Sequence, residues 1–437
     1  MTPAQFEQHL LRALDALPAA AGSVVVGFSG GLDSSVLLHA LAHLPQARAR
    51  GLRALHVDHG LHADSTAWSR HCAEFAAAQR VPFASVPVSV AHDTGTGLED
   101  AARTARRTAL GDAMTAGEIL TLAQHRDDQA ETILLKLLRG AGPEGLGGMR
   151  TMRQFAQGYL WRPLLDVPRS ALAAYAQAHA LRWIDDPSNA DTTLRRNFLR
   201  AEVLPRLHQR WPDATAALAH SATWARHAAD FIEVHSAHAL AQMQGLDPAT
   251  LDWARWLALP DALRDPVLRL WLRGLELDAP AHFHIEELER QLRGSARDRN
   301  PCVRWDDTEL RRYRDLLYAL RPAPAPPDDW ETAWGGEPLA LPGGGTLLLD
   351  HPAPETVPLS LRVRFRRGGE RLKPAGRRHT RELRLLLQEA GVPPWQRARV
   401  PLIFDVDGEL LAAADLYASD TARTLCARLG ARFVWQF

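Results

Sequence analysis

Cysteine is scarce in this chain: Cys72, Cys302 and Cys426 are the 3 cysteines among 437 residues, widely spaced and without a Cys-x-x-Cys pair. An odd, sparse set argues against a disulfide framework and fits a reducing compartment. It also leaves a cysteine-rich zinc or iron–sulfur site without ligands. No apolar run reaches the ~18 residues that suggest a membrane span. Met1–Leu17 is an amphipathic stretch of mixed charge, unlike the charged start and apolar middle of a signal peptide. These absences predict a cytoplasmic protein with no membrane partner. Lysine is almost missing as well, Lys136 and Lys373 being the only two. Nearly all basic charge is therefore arginine, whose planar fork suits phosphate, although a genome-wide codon bias gives the same preference. Net charge is +0 and says nothing about a polyanion, but Leu361–Val400 holds twelve Arg or Lys against three Glu.

What is present points to two or three domains. A hydrophobic share of 46% is enough to build cores. Strand-like runs at Ser23–Phe28, Leu52–Asp58, Pro82–Val88 and Glu118–Ala123 alternate with helix-like runs at Ser34–Leu44, Asp64–Gln79, Leu98–Thr115 and Asp127–Leu138. That alternation predicts an α/β fold, a doubly wound parallel sheet of the nucleotide-binding kind. A Gly-rich loop, Gly140–Gly148, follows, then a helical run Arg169–Ala180. Residues 212–320 read as a mainly helical middle domain with a strand-like ending, in contact with the substrate. Residues 321–330 include the proline-rich RPAPAPPD and read as a linker. Residues 331–437 read as a small, basic α+β C-terminal domain, which leaves 1–211 as the catalytic domain. The oligomeric state stays open, a homodimer included. LPGGGTLLLDHP (Leu341–Pro352) fits no pattern.

The strongest local signal is Ser29-Gly30-Gly31-Leu32-Asp33-Ser34, between an apolar strand and a helix. The strand delivers the chain to the carboxyl edge of the sheet, where ligands of such folds bind. Gly30 and Gly31 permit tight turning and close approach to an anion, and backbone N–H groups at the helix start favour phosphate. Asp33 is acidic where phosphate sits, so a bridging Mg²⁺ reconciles the two. A glycine turn capped by Asp33 or Ser34 is the plain alternative. The loop lacks the Gly-Lys-Ser/Thr ending of a Walker loop and the Gly-x-Gly-x-x-Gly of a dinucleotide site. SGGLDS resembles the pyrophosphate-binding loop of the PP-loop ATP-pyrophosphatase superfamily, which implies cleavage of ATP to AMP and pyrophosphate.

Three further stretches carry candidate residues, the first of them at a strand end that borders the same crevice. His56 and Asp58, in HVDHGL, end the second strand and suit adenine or ribose, or are a solvated strand terminus. In LEDAARTAR, Glu99 and Arg103 stand at i,i+4 spacing; Arg103 and Arg106 share a face able to hold phosphate or RNA, or a solvated one. In HRDDQAET, Asp128 and Glu131 lie on one face at a helix start. They suit the helix dipole or equally an amino acid's ammonium groups. His125 is close enough in sequence to act as base or orienting group.

Together with RPLLDVPR, DDPSNAD (Asp185–Asp191), RRNFLR (Arg195–Arg200) and the C-terminal RFRRGGERLKPAGRRHTRELRLLLQEAGVPPWQRARVPLIF, these stretches resemble the tRNA(Ile)-lysidine synthetase family. Residues from about 212 to 320 match only in character. The resemblance implies that ATP adenylates the 2-oxygen of the first anticodon cytidine of an isoleucine tRNA with a CAU anticodon. L-lysine then attacks the 2-carbon and AMP leaves. Ser29, Gly30, Gly31, Leu32, Asp33 and Ser34, with His56 and Asp58, would hold ATP, and Asp33 would carry Mg²⁺. Asp128 and Glu131 would bind lysine, and Asp33, His125, Asp128 and Glu131 would make the catalytic set. Arg103, Arg106, Arg196, Asn197 and Arg200 would grip tRNA, joined by Arg364, Arg366, Arg367, Arg371, Lys373, Arg377, Arg378 and Arg381. Arg364 and Arg366 alternate on an expected strand and so share a face. Trp395 is expected to pack a core. One departure stands out: the family's usual His-His-x-Asp-Asp has Gln124 in its first place here, which favours His125 for any histidine role. A tRNA thiolase is the nearest rival, but no cysteine sits beside these motifs; a non-catalytic tRNA-binding protein is the rival of a different class.

Overall fold

The computed structural model describes residues 1–18, 21–58, 60, 64–88, 98–294, 301–350 and 359–436, with the side chains of 98–100 and 102 excepted. The chain forms two compact units, Met1–Val234 and His235–Phe437.

In the first unit, β1 (Val24–Gly27) is buried at every residue. Its unbroken β-branched run demands this, since a central parallel strand has helices on both faces and no polar side. In chain order α1 (Pro3–Asp15) precedes it. After it come α2 (Leu32–His43), α3 (Pro45–Ala49), β2 (Arg53–Asp58), α4 (Ser65–Ala78), β3 (Phe83–Pro87), α5 (Leu98–Asp112), β4 (Ile119–Thr121) and α6 (Arg126–Leu137). The unit continues through α7 (Pro143–Leu146), β5 (Met152–Phe155), β6 (Gly158–Trp161) and α8 (Arg169–Ala178). The sheet order is β3-β2-β1-β4-β6-β5. All neighbours are parallel except β5, which turns back along β6. β1 pairs on one side with β2 (Val25↔Arg53) and on the other with β4 (Val25↔Leu120), so the strand order reverses between β1 and β4. That reversal opens the crevice in which doubly wound sheets bind ligands.

Alternate residues of β1 divide between two cores. Val24 and Val26 pack with Leu37, Leu41, Leu172 and Tyr175 of the helices on one face. Val25 packs with Leu55, Leu110, Leu120 and Leu160 on the other. The expected strands and helices of the first 140 residues are present within a few residues of their expected ends. The β5–β6 hairpin was not expected and extends the sheet by two strands, turning at Ala156 with φ 48°. Beneath the sheet, Glu118 receives Arg53 Nε at 2.9 Å and Nη2 at 2.7 Å, the Thr115 N–H at 2.7 Å and Ser23 Oγ at 3.0 Å. Burial alone would raise the Glu118 carboxyl, but these donors and the Arg53 charge hold it down at about 2.

An α-helix, Ala214–Met243, runs from the first unit into the second. There three helices, Trp253–Leu257, Asp261–Gly274 and His282–Gly294, pack on an antiparallel sheet built from Cys302–Trp305, Thr308–Tyr313, Leu316–Leu320 and the short strand Thr250–Asp252. Trp256, Trp271, Leu272 and Leu288 fill this core. The proline-rich stretch is held in place, since Arg399 Nη2 donates to the carbonyls of Ala323 at 2.6 Å and Pro324 at 2.8 Å. Beyond it lies a five-stranded antiparallel sheet, Glu331–Trp334, Leu361–Arg364, Leu402–Phe404, Leu410–Ala413 and Tyr417–Ala418. LPGGGTLLLDHP becomes legible in its first part. Gly343, Gly344 and Gly345 turn at φ 88°, 102° and 85° between Leu339–Ala340 and Thr346–Asp350, and the latter pairs with the C-terminal strand. Its His351 and Pro352 lie outside the described residues. No helix among the described residues is long and apolar enough to cross a membrane.

Candidate active site

The loop after β1 turns at Gly30, φ 82°. A Cβ there would come within 2.7 Å of Ile184 Cδ1 and 2.8 Å of Cys72 Sγ, so both φ and space require glycine. The Gly30 carbonyl accepts from the Ile184 N–H at 2.9 Å and from Ser35 Oγ at 3.3 Å. Ser34 Oγ accepts from the Ser29 N–H, lies 3.0 Å from Ser29 Oγ and donates to the Gly31 carbonyl. Gly31 caps α2 with extended backbone and without a side-chain bond, so neither Asp33 nor Ser34 acts as the cap. The α2 N-terminus therefore keeps its donors for an anion. The expectation that no cysteine sits beside the motifs is corrected by Cys72. Its thiol is buried, which pushes it up to about 12, far from a reactive thiolate.

Asp33, in the first turn of α2, has an Oδ1 that is buried and without a hydrogen-bond partner. Oδ1 lies 3.8 Å from Arg169 Nε, at the start of α8. An orphan carboxylate oxygen facing a phosphate loop fits a hard cation. Among the described residues no three His, Cys, Asp or Glu side chains form a protein-only metal cage. A Mg²⁺ here would take its other oxygens from phosphate and water, its usual mode.

Across the β1–β4 crevice, His125 caps α6 and is 1% exposed. Its N–H donates to Asp128 Oδ2 at 3.1 Å, and the Asp128 N–H returns a longer bond to His125 Nδ1 at 3.4 Å. This reciprocal box leaves His125 Nε2 facing two carboxylates, Asp33 Oδ2 at 3.6 Å and Asp128 Oδ2 at 3.4 Å. Burial lowers the imidazole, but Asp33, Asp128 and Asp127 outweigh it and its pKa lies above the usual value. Asp127 also accepts the Arg169 N–H at 2.9 Å. Arg169 belongs to RPLLDVPR and was given no role from sequence. Its pointer was its place at the first position of a helix following Pro168.

Glu131 has no exposed side-chain surface and is held by two arginines. Arg196 Nε lies 3.1 Å from Oε2, and Arg200 reaches Oε1 at 2.7 Å and Oε2 at 3.1 Å. Arg200 Nη2 also bonds Asp128 Oδ1 at 3.1 Å. Burial pushes the Glu131 carboxyl up, and although Arg200 and Arg196 pull it down, its pKa stays above the usual value. Burial lowers the Arg200 guanidinium, which Glu131, Asp128 and Asp33 raise again to a net increase. Asn197 Nδ2 donates to the carbonyls of Ser188 and Asp191, both at 2.9 Å, and so fixes the DDPSNAD turn. The RRNFLR side chains expected to grip RNA are thus turned onto α6 and its neighbouring loop.

His56 is buried at the end of β2, with Nδ1 2.8 Å from the Phe28 carbonyl. Asp58 accepts from the Gly60 N–H at 3.0 Å. His59 and Leu61 lie outside the described residues, as does the Glu99 side chain. On α5, Arg103 is exposed, and Arg106 is half-buried with its pKa lowered by desolvation.

The C-terminal cations divide into two sets. Arg364 and Arg366 both reach Glu370, at 3.1 and 3.6 Å. The expected shared strand face is corrected, since the strand ends at Arg364 and it is Glu370 that gathers them. Arg367 pairs with Glu331 at 3.2 Å, and Arg377 and Arg381 both pair with Glu389, at 3.2 and 2.6 Å. Arg371, Lys373 and Arg378 are exposed and have no ion pair among the described residues. Trp395 is half-buried, edge-on to Tyr313 and Tyr318, with Arg311 5.3 Å from its ring.

Three family models match the chain: a PP-loop domain over residues 3–207, a TilS substrate binding domain over 251–318 and a TilS substrate C-terminal domain over 361–435. A tRNA(Ile)-lysidine synthase of Xanthomonas axonopodis pv. citri is 48% identical over 92% of this chain and 91% of its own. One from Xylella fastidiosa strain Temecula1 is 45% identical over 95% of both, and one from Pseudomonas aeruginosa is 42% identical over 97% of this chain and 96% of its own. With a PP-loop domain at one end, both substrate domains behind it and relatives matched nearly end to end, the chain belongs to the tRNA(Ile)-lysidine synthase family.

Proposed function

We propose that this protein, acting in the cytoplasm, ligates L-lysine to the 2-carbon of the first anticodon cytidine of an isoleucine tRNA with a CAU anticodon, splitting ATP to AMP and pyrophosphate. One observation carries the reading. The phosphate loop and the HRDD string meet at a single point, with His125 Nε2 within 3.6 Å of Asp33 and 3.4 Å of Asp128. An adenylated base and an attacking amine need that proximity.

Ser29–Ser34 and the α2 N-terminus hold the β- and γ-phosphates, with His56 and Asp58 at the nucleoside side of the same edge. Asp33 would hold a Mg²⁺, which would supply charge neutralisation for the pyrophosphate. Of the two expected lysine-binding carboxylates, Asp128, 17% exposed, is the one within reach of a lysine ammonium, since Glu131 has no exposed side-chain surface. Glu131 reaches it only by exchanging a guanidinium for it. The ε-amine must lose its proton before it attacks, and His125 or a neighbouring carboxylate takes it. Of the predicted C-terminal cations, Arg371, Lys373 and Arg378, which have no ion pair among the described residues, meet phosphate, within the proposed division into 1–211, 212–320 and 331–437.

The test is ATP-dependent transfer of radiolabelled lysine to purified CAU isoleucine tRNA, with Asp33→Ala in parallel. Label that needs ATP and vanishes in the variant supports the reading. AMP release without label would discard lysine as the substrate. Bound tRNA with neither label nor AMP would point to a non-catalytic binder.

A further inference from the structure

The side of the crevice formed by β4, β6 and β5 carries a group of arginines that the reaction above does not use. Arg162 stands just past the carboxyl end of β6 and is 8% exposed. Its Nε donates to Gln124 Oε1, and its Nη1 to the Arg150 carbonyl at 3.0 Å. Its charged neighbours are Arg153, Arg103 and Arg107, with no carboxylate among them. Arg153 lies on β5 opposite Leu160 of β6, and because β5 runs antiparallel it begins at this same ligand edge. Arg107 and Arg153 share the Phe155 ring, their guanidinium carbons 5.5 and 5.7 Å from its centre. Arg103 and Arg107, four apart on α5, present one face, and both are exposed. None of the four forms an ion pair among the described residues, although most arginines in the vicinity of α6 do.

Four like charges gathered with no counter-charge among the described residues repel one another and lower the stability of the free protein. Such an arrangement is relieved by a polyanion. The ATP phosphates are accounted for by the α2 loop at the β1–β4 reversal, whereas this group continues outward from the crevice across β6 and β5 to an exposed helix face. That extent suits a row of phosphates. Arginine forks on phosphate oxygens, with one buried member held by an amide, fit an RNA strand that is positioned without its bases being read.

We propose that Arg103, Arg107, Arg153 and Arg162 form a track for the sugar-phosphate backbone of the tRNA strand entering the active site, with Gln124 holding Arg162 in place beside His125. Gln124 is thus a positioning residue. The inference rests on the tRNA-modifying reading and adds Arg107, Arg153, Arg162 and Gln124 to it.

The experiment measures the affinity of the full chain for CAU isoleucine tRNA over a range of salt, together with its affinity for ATP by equilibrium dialysis. For Arg107→Gln with Arg153→Gln, the salt slope falls by roughly 0.7–0.9 for each phosphate that is no longer neutralised, and tRNA binding weakens about tenfold or more near physiological salt. ATP affinity holds, and Arg107→Lys with Arg153→Lys keeps the slope. The exposed single variant Arg107→Gln, which leaves the core untouched, shows half of that slope change. An unchanged slope in the double variant overturns the proposal, as does weakened ATP binding at unchanged slope, which would give the arginines to the triphosphate. If the unaltered protein binds no tRNA, the tRNA reading itself fails, and that outcome is visible before any variant is compared.

Discussion

Replacing Arg200 by Met separates two roles that sequence alone could not divide. Arg200 makes two bonds to Glu131, at 2.7 and 3.1 Å, and one to Asp128 at 3.1 Å. Charge-assisted bonds contribute about 1.5–3 kcal/mol each. Loss of one partner from a buried pair costs about 3–5 kcal/mol, because the remaining charge stays buried. Glu131 has no exposed side-chain surface and would keep only Arg196. Arg200→Met is therefore expected to destabilise the first unit by about 3–4 kcal/mol, within that range. Glu131→Gln should cost a similar amount, and the two together should cost well below their sum. The assay is urea denaturation followed through the transition of the first unit, with the lysine KM measured on the folded variants. If Arg200→Met shifts stability by less than about 1 kcal/mol, as exposed pairs do, the ionic network is not formed in solution. Arg200 would then return to the role of a solvent-facing RNA contact.

Glu118→Gln should cost about 3 kcal/mol at neutral pH, from a carboxyl held at about 2 against the 4.5 of a free one. The depressed value means that this contribution is complete above pH 4.5 and is lost as pH falls towards 2. The gap between wild type and variant should therefore narrow to roughly 1 kcal/mol at pH 3, read by denaturant titration at each pH. Gly30→Ala, forced to φ 82° and crowded by Ile184 and Cys72, should strain the loop by about 1–2 kcal/mol and raise the ATP KM at least severalfold in steady-state assays. Cys72, buried and pushed up to about 12, should resist iodoacetamide in the native protein while exposed Cys302 reacts. Equal labelling of both, read by peptide mass, would show that the loop opens.

The central strand β1 could be read because burial on both faces leaves an unbroken β-branched run, and the other parallel strands because they alternate with helical runs. The β5–β6 hairpin escaped because neither Met152–Phe155 nor Gly158–Trp161 contains a β-branched residue. Only pairing with β4, far away in sequence, makes them part of the sheet. The site divides in the same way. SGGLDS and HRDDQAET declare themselves locally, since a phosphate loop and a helix cap are built from neighbouring residues. The partners of an arginine are not local. Arg196 and Arg200 looked like RNA contacts until the fold set them against Glu131, more than sixty residues away in sequence. Cys72 likewise looked remote from a loop that it lines.

Gln124 shows the same limit and also what overcomes it. In sequence it is a departure from a paired histidine, and the departure alone suggests impairment. In the fold it accepts from buried Arg162 beside three more arginines that have no ion pair among the described residues. An imidazole accepts there only while neutral, and once protonated it becomes a further cation in a cationic cluster. An amide oxygen accepts at every pH and carries no charge. The substitution therefore leaves His125, with its own capping box and its own carboxylates, as the titratable group of the pair. A tRNA phosphate track then meets a fixed, pH-independent acceptor, and the proton chemistry is confined to one side of the crevice.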